Sequence, residues 1–123
     1  MGLKMENLSI NEIRTFPSGA TRSNDLTRID WVKMISVPVL LRYGEYMARN
    51  RVQADGSLRD FDNWKKGFPL DETIESMMRH MVDLMALHTD SNPIRECNIE
   101  DSCCAILFNA MAYLHEYLME KGE

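Results

Sequence analysis

Cys103-Cys104-Ala105-Ile106-Leu107-Phe108-Asn109-Ala110-Met111-Ala112-Tyr113-Leu114 is the stretch whose reading decides the fold. Asn109 is its single strongly polar residue, so a helix built on it has no solvent stripe for about three turns. A helix that is apolar all round must be buried on every side. One chain with about three main helices does not readily enclose it. A second copy is therefore expected to cover part of it, which makes the protein an obligate oligomer with a helix-mediated dimer interface.

Two further helices are legible upstream. One starts near Ser36, with Pro38 in the first turn where its missing N–H costs little, and runs through Val39, Leu40, Tyr43, Tyr46 and Met47 toward Asn50. The next follows Gly67-Phe68-Pro69. Asp71, Glu72 and Glu75 suit the positive end of its dipole, and Ile74, Met77, Met78, Met81, Leu84, Met85 and His88 recur at helical spacing. It should end near Asp90, before Ser91-Asn92-Pro93. The third helix begins around Ile99 to Ser102, with Asp101 or Ser102 as its cap, and continues to about Glu120 before Gly122. The Met-rich second helix serves core packing at this spacing or belongs to the same interface; an adaptable binding surface is the alternative. Trp31 to Ile35 can hold a preceding helical turn, and Glu12 to Phe16 a short strand whose partner the sequence does not name. The fold class is thus mainly α: a compact bundle of about three main helices with an extended N-terminal segment that can hold short strands. Residues 1–123 read as one domain, with 1–11 as a flexible tail.

The length of 123 residues leaves room for one domain with a modest core and excludes a multidomain machine. The formal charge is −5, unevenly spread. Residues 1–70 hold eleven Lys/Arg against eight Asp/Glu, and residues 71–123 hold three against eleven. An anionic ligand should therefore find its charge partners mainly in the first half, with Arg79 as the exception. No block of like charge argues for a DNA or RNA polymer as partner. No apolar stretch approaches the ~20 residues of a membrane span, and the start lacks a signal peptide's apolar region, so a cytoplasmic protein is expected. Cys97, Cys103 and Cys104 form neither a disulfide framework nor a zinc spacing and read as buried or partly buried thiols.

The loops carry the more suggestive residues. Thr15-Phe16-Pro17-Ser18-Gly19-Ala20-Thr21-Arg22 combines an aromatic ring, a fixed turn, hydroxyls and a guanidinium, so backbone N–H groups near Gly19 and the Arg22 fork can face an anion; Pro-Ser-Gly is also an ordinary loop. In Arg59-Asp60-Phe61-Asp62-Asn63-Trp64-Lys65-Lys66-Gly67, aromatics stand among charges; they anchor the loop to the core or stack on a flat ligand.

Catalytic chemistry finds less support. A metal-dependent, all-α, MazG-like pyrophosphatase needs acidic pairs on facing helices. Glu72 and Glu75 are one turn apart, dipole complementation already explains them, and no second Glu-x-x-Asp pair follows. His80, His88 and His115 form no His-Asp doublet or zinc signature, and no base is identified for Cys103 or Cys104. Arg79 and Asp83, at i and i+4, are expected to pair. No catalytic residue and no metal or other cofactor is assigned.

Taken together, Thr15 to Arg22, Arg51-Val52-Gln53-Ala54-Asp55-Gly56, Asp62 to Gly67, Arg79-His80 and Leu107 to Glu116 occur in an order that resembles small phage and prophage proteins. The resemblance is nearest to the Thoeris anti-defence proteins, sponges for the cyclic ADP-ribose signals made by TIR enzymes, and covers roughly residues 12 to 120. A more distant similarity runs to the N-terminal region of phage dATP/dGTP diphosphohydrolases, through Asn-Trp-x-Lys-Gly and Arg-His.

The resemblance implies a non-enzymatic protein of the bacterial host cytoplasm. Such a protein holds glycocyclic ADP-ribose (gcADPR) uncleaved in pockets at a homodimer interface. In some members, trimers of such dimers form hexamers that also bind the cyclic trinucleotides of CBASS defence. The enzymatic alternative is a metal-dependent dNTP diphosphohydrolase. A ligand with adenine, two riboses and a pyrophosphate needs an aromatic platform, hydrogen-bonding groups and a guanidinium. Phe16, Trp64 and Tyr113 are the candidates for base or ribose packing, Arg22, Arg28 and Arg79 for phosphate, and Asn63, His80 and Asn109 for hydroxyl or base-edge hydrogen bonds. Each has a plainer use in packing, capping or the surface. Arg51, Arg59 and Arg95 are candidates for a second, trinucleotide site. A third reading, a phage protein that binds a host polypeptide through its Met-rich helix, would require a broad exposed apolar face.

Overall fold

A computed structural model describes residues 12–24 and 28–122, with backbone alone for 12–14 and 22–24. The tail expected over residues 1–11 lies outside the described residues. The chain is mainly helical and divides into two compact units, Met1–Val37 and Pro38–Glu123.

The first unit carries an antiparallel hairpin of β1 (Glu12–Thr15) and β2 (Thr21–Asn24), with Thr15 opposite Thr21. The connection is a three-residue loop: Gly19 N–H donates to Phe16 O (2.8 Å), Phe16 N–H donates to Ala20 O (2.7 Å), and Gly19 has φ 91°. Pro17 fits the turn's fixed first position and glycine its left-handed last one. The strand expected at Glu12–Phe16 thus finds its partner in Thr21-Arg22-Ser23-Asn24, which has no apolar alternation to advertise it. A single turn, α1 (Trp31–Met34), follows, capped by Asp30, whose Oδ1 accepts from Lys33 N–H (3.1 Å).

In the second unit, which holds all of α2 (Val37–Arg49) but its first residue, that helix leads through a small hairpin and a 3-10 turn (Asn63–Lys66) to α3 (Leu70–His88) and α4 (Ile99–Glu120). The three long helices lie where hydrophobic periodicity places them. Gly67 ends the 3-10 turn at φ 110°, and a Cβ there would lie 3.4 Å from Glu116 Oε2, so glycine suits both the backbone and the close approach. The end of α3 is a Schellman arrangement: Asp90 adopts φ 57°, its N–H donates to Leu87 O (3.2 Å), and Ser91 N–H donates to Ala86 O (2.7 Å).

The cap of α4 is neither Asp101 nor Ser102 but Asn98, whose Oδ1 accepts from Asp101 N–H (2.7 Å). Asp101 is left free for a different task. With Glu100 in the first turn it complements the helix dipole and receives Arg42 and Arg49 from α2. Arg42 Nη2 lies 2.7 Å from Asp101 Oδ1. The carboxyl of Asp101 is pushed up by burial but pulled further down by these two guanidinium groups, and its net position is below the ordinary range.

α3 and α4 make the most extensive helix contact of the described residues. Small and polar residues line the closed face of α4: Ser102, Ala105, Asn109 and Ala112, at spacings that fall on one stripe. Among the described residues the fully buried apolar groups are Cys104, Ala105 and Ala112, none of them large. The larger apolar side chains are partly or wholly exposed. On α4, Leu107, Met111, Leu114 and Leu118 are exposed; on α3, Ile74, Met78, Val82 and Met85 are. The apolar-all-round helix therefore keeps an open face within the single chain. Met77 and Met81 are half-buried as core packing requires, while Met78 and Met85 are not. Cys103 is exposed on α4, contrary to the expectation of three buried or partly buried thiols, because it falls on this open face; Cys104 is buried, which pushes its thiol up. Among the described residues, no helix is long and apolar enough to cross a membrane.

Candidate functional site

Two cavities adjoin in the second unit, sharing Tyr46, Phe68 and Phe108 as a common wall. The first, about 210 Å³, is lined by Arg51, Arg59, Asp60, Phe61, Asn63 and Trp64, with Met47 and Asn50 of the α2 end. The second, about 320 Å³, is lined by Glu72, Thr73, Ser76, Arg79, His80 and Asn109. Ligand cavities usually measure about 300–1,000 Å³, so the two together suit one nucleotide-sized molecule better than either alone.

The aromatic wall is built by edge contacts. Trp64 meets Phe108 edge-on at 6.1 Å between centroids and His115 at 5.0 Å, and Phe68 meets Phe108 at 6.3 Å. Trp64 thus anchors the 3-10 turn to α4 and still lines the first cavity: the two alternatives left open by the sequence are compatible. Asn63 lies beside it on the same turn.

On the second cavity, Arg79 and His80 come from α3 and Asn109 from α4. The expected Arg79–Asp83 ion pair is absent. Asp83, 1% exposed, instead accepts from Arg95 Nε (2.9 Å) and from Ile94 N–H (3.1 Å), both in the α3–α4 connection. A buried carboxylate gains more from a guanidinium and a backbone N–H that share its interior position than from an exposed helical neighbour. Burial pushes the Asp83 carboxyl up, but these two donors outweigh it and hold it below the ordinary range. Arg79, released from Asp83, is exposed and forms no ion pair among the described residues.

Arg95 also reaches His80, with Nη2 3.3 Å from Nδ1. Since Arg95 can only donate, Nδ1 accepts and the ring's proton sits on Nε2. Burial first, and then the Arg95 charge, pull His80 below its ordinary value, so the ring is neutral near pH 7. Asn109 Nδ2 donates back to Ala105 O (2.8 Å), which fixes the amide in an otherwise apolar stretch of α4. Thr73 Oγ1 donates to Leu70 O (2.7 Å). Tyr43 on α2 keeps a buried hydroxyl with no hydrogen-bond partner among the described residues.

Five of the nine residues singled out by sequence therefore line the paired cavities. Tyr113 does not: it is half-buried on α4 and lines neither. Phe16 and Arg28 belong to the first unit, as does Arg22, of which the described part is the backbone alone. Of the N–H groups near Gly19 expected to face an anion, Gly19 donates to Phe16 O (2.8 Å) and Ala20 to Ser18 Oγ (3.4 Å). Tyr46, Phe68, Phe108, Thr73 and Ser76 were missed. Helical spacing alone marks Tyr46 and Phe108 as core, and no local signal distinguishes a core aromatic from one that also walls a cavity.

Among the described residues no group of three or more His, Cys, Asp or Glu side chains is placed to hold a metal ion. Asp83 and Asp101 are held by arginines, and Glu72 stands alone at the second cavity. No protein family, no curated protein and no solved structure matches the chain, so the functional reading rests on this geometry and on the order of its motifs.

Proposed function

We propose that this protein binds and sequesters a cyclic ADP-ribose isomer, glycocyclic ADP-ribose in the first instance, without cleaving it. It would thereby deny a Thoeris effector its signal in the cytoplasm of a bacterial host. The observation that carries this reading is the meeting of Asn63, Trp64, Arg79, His80 and Asn109 on two adjoining cavities with an aromatic common wall. Flat walls suit adenine, the amides and the neutral imidazole suit base edges and ribose hydroxyls, and the unpaired guanidinium groups suit a diphosphate. The open apolar faces of α3 and α4 support assembly as a homodimer. A hexamer as the larger form and cyclic trinucleotides as further ligands follow from the resemblance alone.

Sequestration requires tight binding, since a nanomolar dissociation constant corresponds to about −12 kcal/mol. The test is to incubate the purified protein with glycocyclic ADP-ribose, follow free ligand, then denature the protein by heat and assay what is released. Stoichiometric depletion and recovery of intact ligand is the expected result. Ligand that never leaves solution overturns the reading, and ligand returned as a cleaved product replaces it with a hydrolase. Asn109→Ala should weaken binding at least tenfold and Arg79→Ala less than threefold, both while retaining helical circular dichroism.

A further inference from the structure

Arg51 and Arg59 face each other across a small hairpin at the first cavity. The chain turns at Asp55-Gly56, where Gly56 has φ 85°, Val52 bridges Leu58, and Arg59 N–H donates to Arg51 O (3.0 Å). Two like charges placed directly opposite in such a pair repel. The side chains are nevertheless held in place. Arg51 Nε donates to Arg59 O (2.7 Å), and its Cζ lies 4.2 Å from the centroid of the Phe61 ring. Arg59 Nη2 donates to Asn50 O (2.9 Å). Backbone carbonyls and a ring face orient the two guanidinium groups but do not neutralise them. Among the described residues neither forms an ion pair, whereas Arg42, Arg49 and Arg95 all do.

Both residues line the first cavity, where Asp60 is the one acidic residue of the lining; the second cavity sets Arg79 against Glu72. The surplus positive charge of the paired cavities therefore lies at Arg51 and Arg59. We infer that this pair is the phosphoryl-binding subsite, which takes the diphosphate of a nucleoside-diphosphate-like ligand while the second cavity takes its base and ribose. This deepens the function proposed above and rests on it, and it moves the diphosphate away from Arg79. The fork of a guanidinium matches two phosphate oxygens at once, and two forks oriented in advance suit a diphosphate better than one mobile arginine. The Thr73 and Ser76 hydroxyls, His80 Nε2–H and the Asn109 amide are then left to hydrogen-bond the uncharged parts of the ligand.

The test uses the full chain, with the arginine Nε–Hε resonances assigned and followed by NMR during titration with inorganic pyrophosphate and then with ADP. Saturable shifts at Arg51 and Arg59, at lower concentration than any at Arg79, are expected. The Arg51→Gln, Arg59→Gln double variant should bind ADP at least tenfold more weakly, and Arg79→Gln less than threefold. Pyrophosphate that leaves the Arg51 and Arg59 resonances in place, or moves Arg79 first, overturns the assignment. Because the glutamine variants could loosen the hairpin, the mapping on the unaltered chain decides. Failure of the sequestering reading looks different: the pair would bind pyrophosphate and ADP while glycocyclic ADP-ribose stayed free in solution or came back cleaved.

Discussion

Asp83 and Arg95 lie twelve positions apart, yet their ion pair, Nε to Oδ2 at 2.9 Å, pins the α3–α4 connection to the inner face of α3. The carboxylate is 1% exposed, so removing the guanidinium would strand a buried charge. Arg95→Ala is expected to lower Tm by roughly 10 °C, with an opposite sign of pH dependence. In the parent the folded Asp83 carboxyl lies below its unfolded value of about 3.9, so its stabilisation is present above that pH and lost below it. In the variant, burial, the largest influence on this carboxyl, is opposed by backbone N–H donors alone and raises the folded value, so stability improves as pH falls from 7 toward 5. Thermal melts across pH 3 to 8 check both signs, and an unchanged Tm at pH 7 would show the pair to be incidental.

His80 is pulled down by burial and then by Arg95 and Arg79, while Asp83 pulls it up. The folded ring therefore binds its proton less readily than the unfolded one. Its stabilising contribution is present above about pH 6.5 and is lost as pH falls below that toward the folded value. An NMR titration should give a midpoint below 6.5 and the Nε2–H tautomer, and Arg95→Gln should raise the midpoint. A ring titrating at its ordinary value, or with Nδ1 protonated, would contradict the contact with Arg95.

The helices were legible because each carries its own period and its own stops: Pro38 at the start of α2, Pro69 before α3, and Ser91-Asn92-Pro93 after it. What escaped was whatever depends on partners distant in the chain. The i, i+4 rule offered Asp83 to Arg79, but the α3–α4 connection brings Arg95 into the interior, and burial decides the competition. β2 has no apolar alternation, so its pairing with β1 follows from the Pro17-Ser18-Gly19 turn alone. The site was half legible for the same reason. Asn63, Trp64, Arg79, His80 and Asn109 stood out by residue type, whereas Arg51 and Arg59 gain meaning from a hairpin that sets them opposite each other.

Trp64 joins fold and site through its contacts with Phe108 and His115. Trp64→Ala should cost about 3 kcal/mol in urea unfolding and abolish ligand binding, because it removes both the anchor of the 3-10 turn and a wall of the first cavity. Trp64→Phe, which keeps a ring against Phe108, should recover most of the stability. A variant to alanine with parental stability would mean that the turn is held by other contacts.

The open face of α4 tests the oligomer separately from the site. Leu107 and Leu114 are 46% and 55% exposed, so glutamate at both positions should leave the chain folded. If a second copy covers this face, the parent elutes as a dimer or larger in light scattering and the Leu107→Glu, Leu114→Glu variant as a helical monomer. A monomeric parent, or a double variant that assembles as the parent does, would remove this face from any interface. Asn109 provides the contrast. Two residues along a helix are about 200° apart, which turns Asn109 away from Leu107 and onto the cavity side, where it is 6% exposed. Asn109→Ala should therefore keep the parental assembly while weakening the ligand, and a variant that dissociates would place the amide in the interface rather than the pocket.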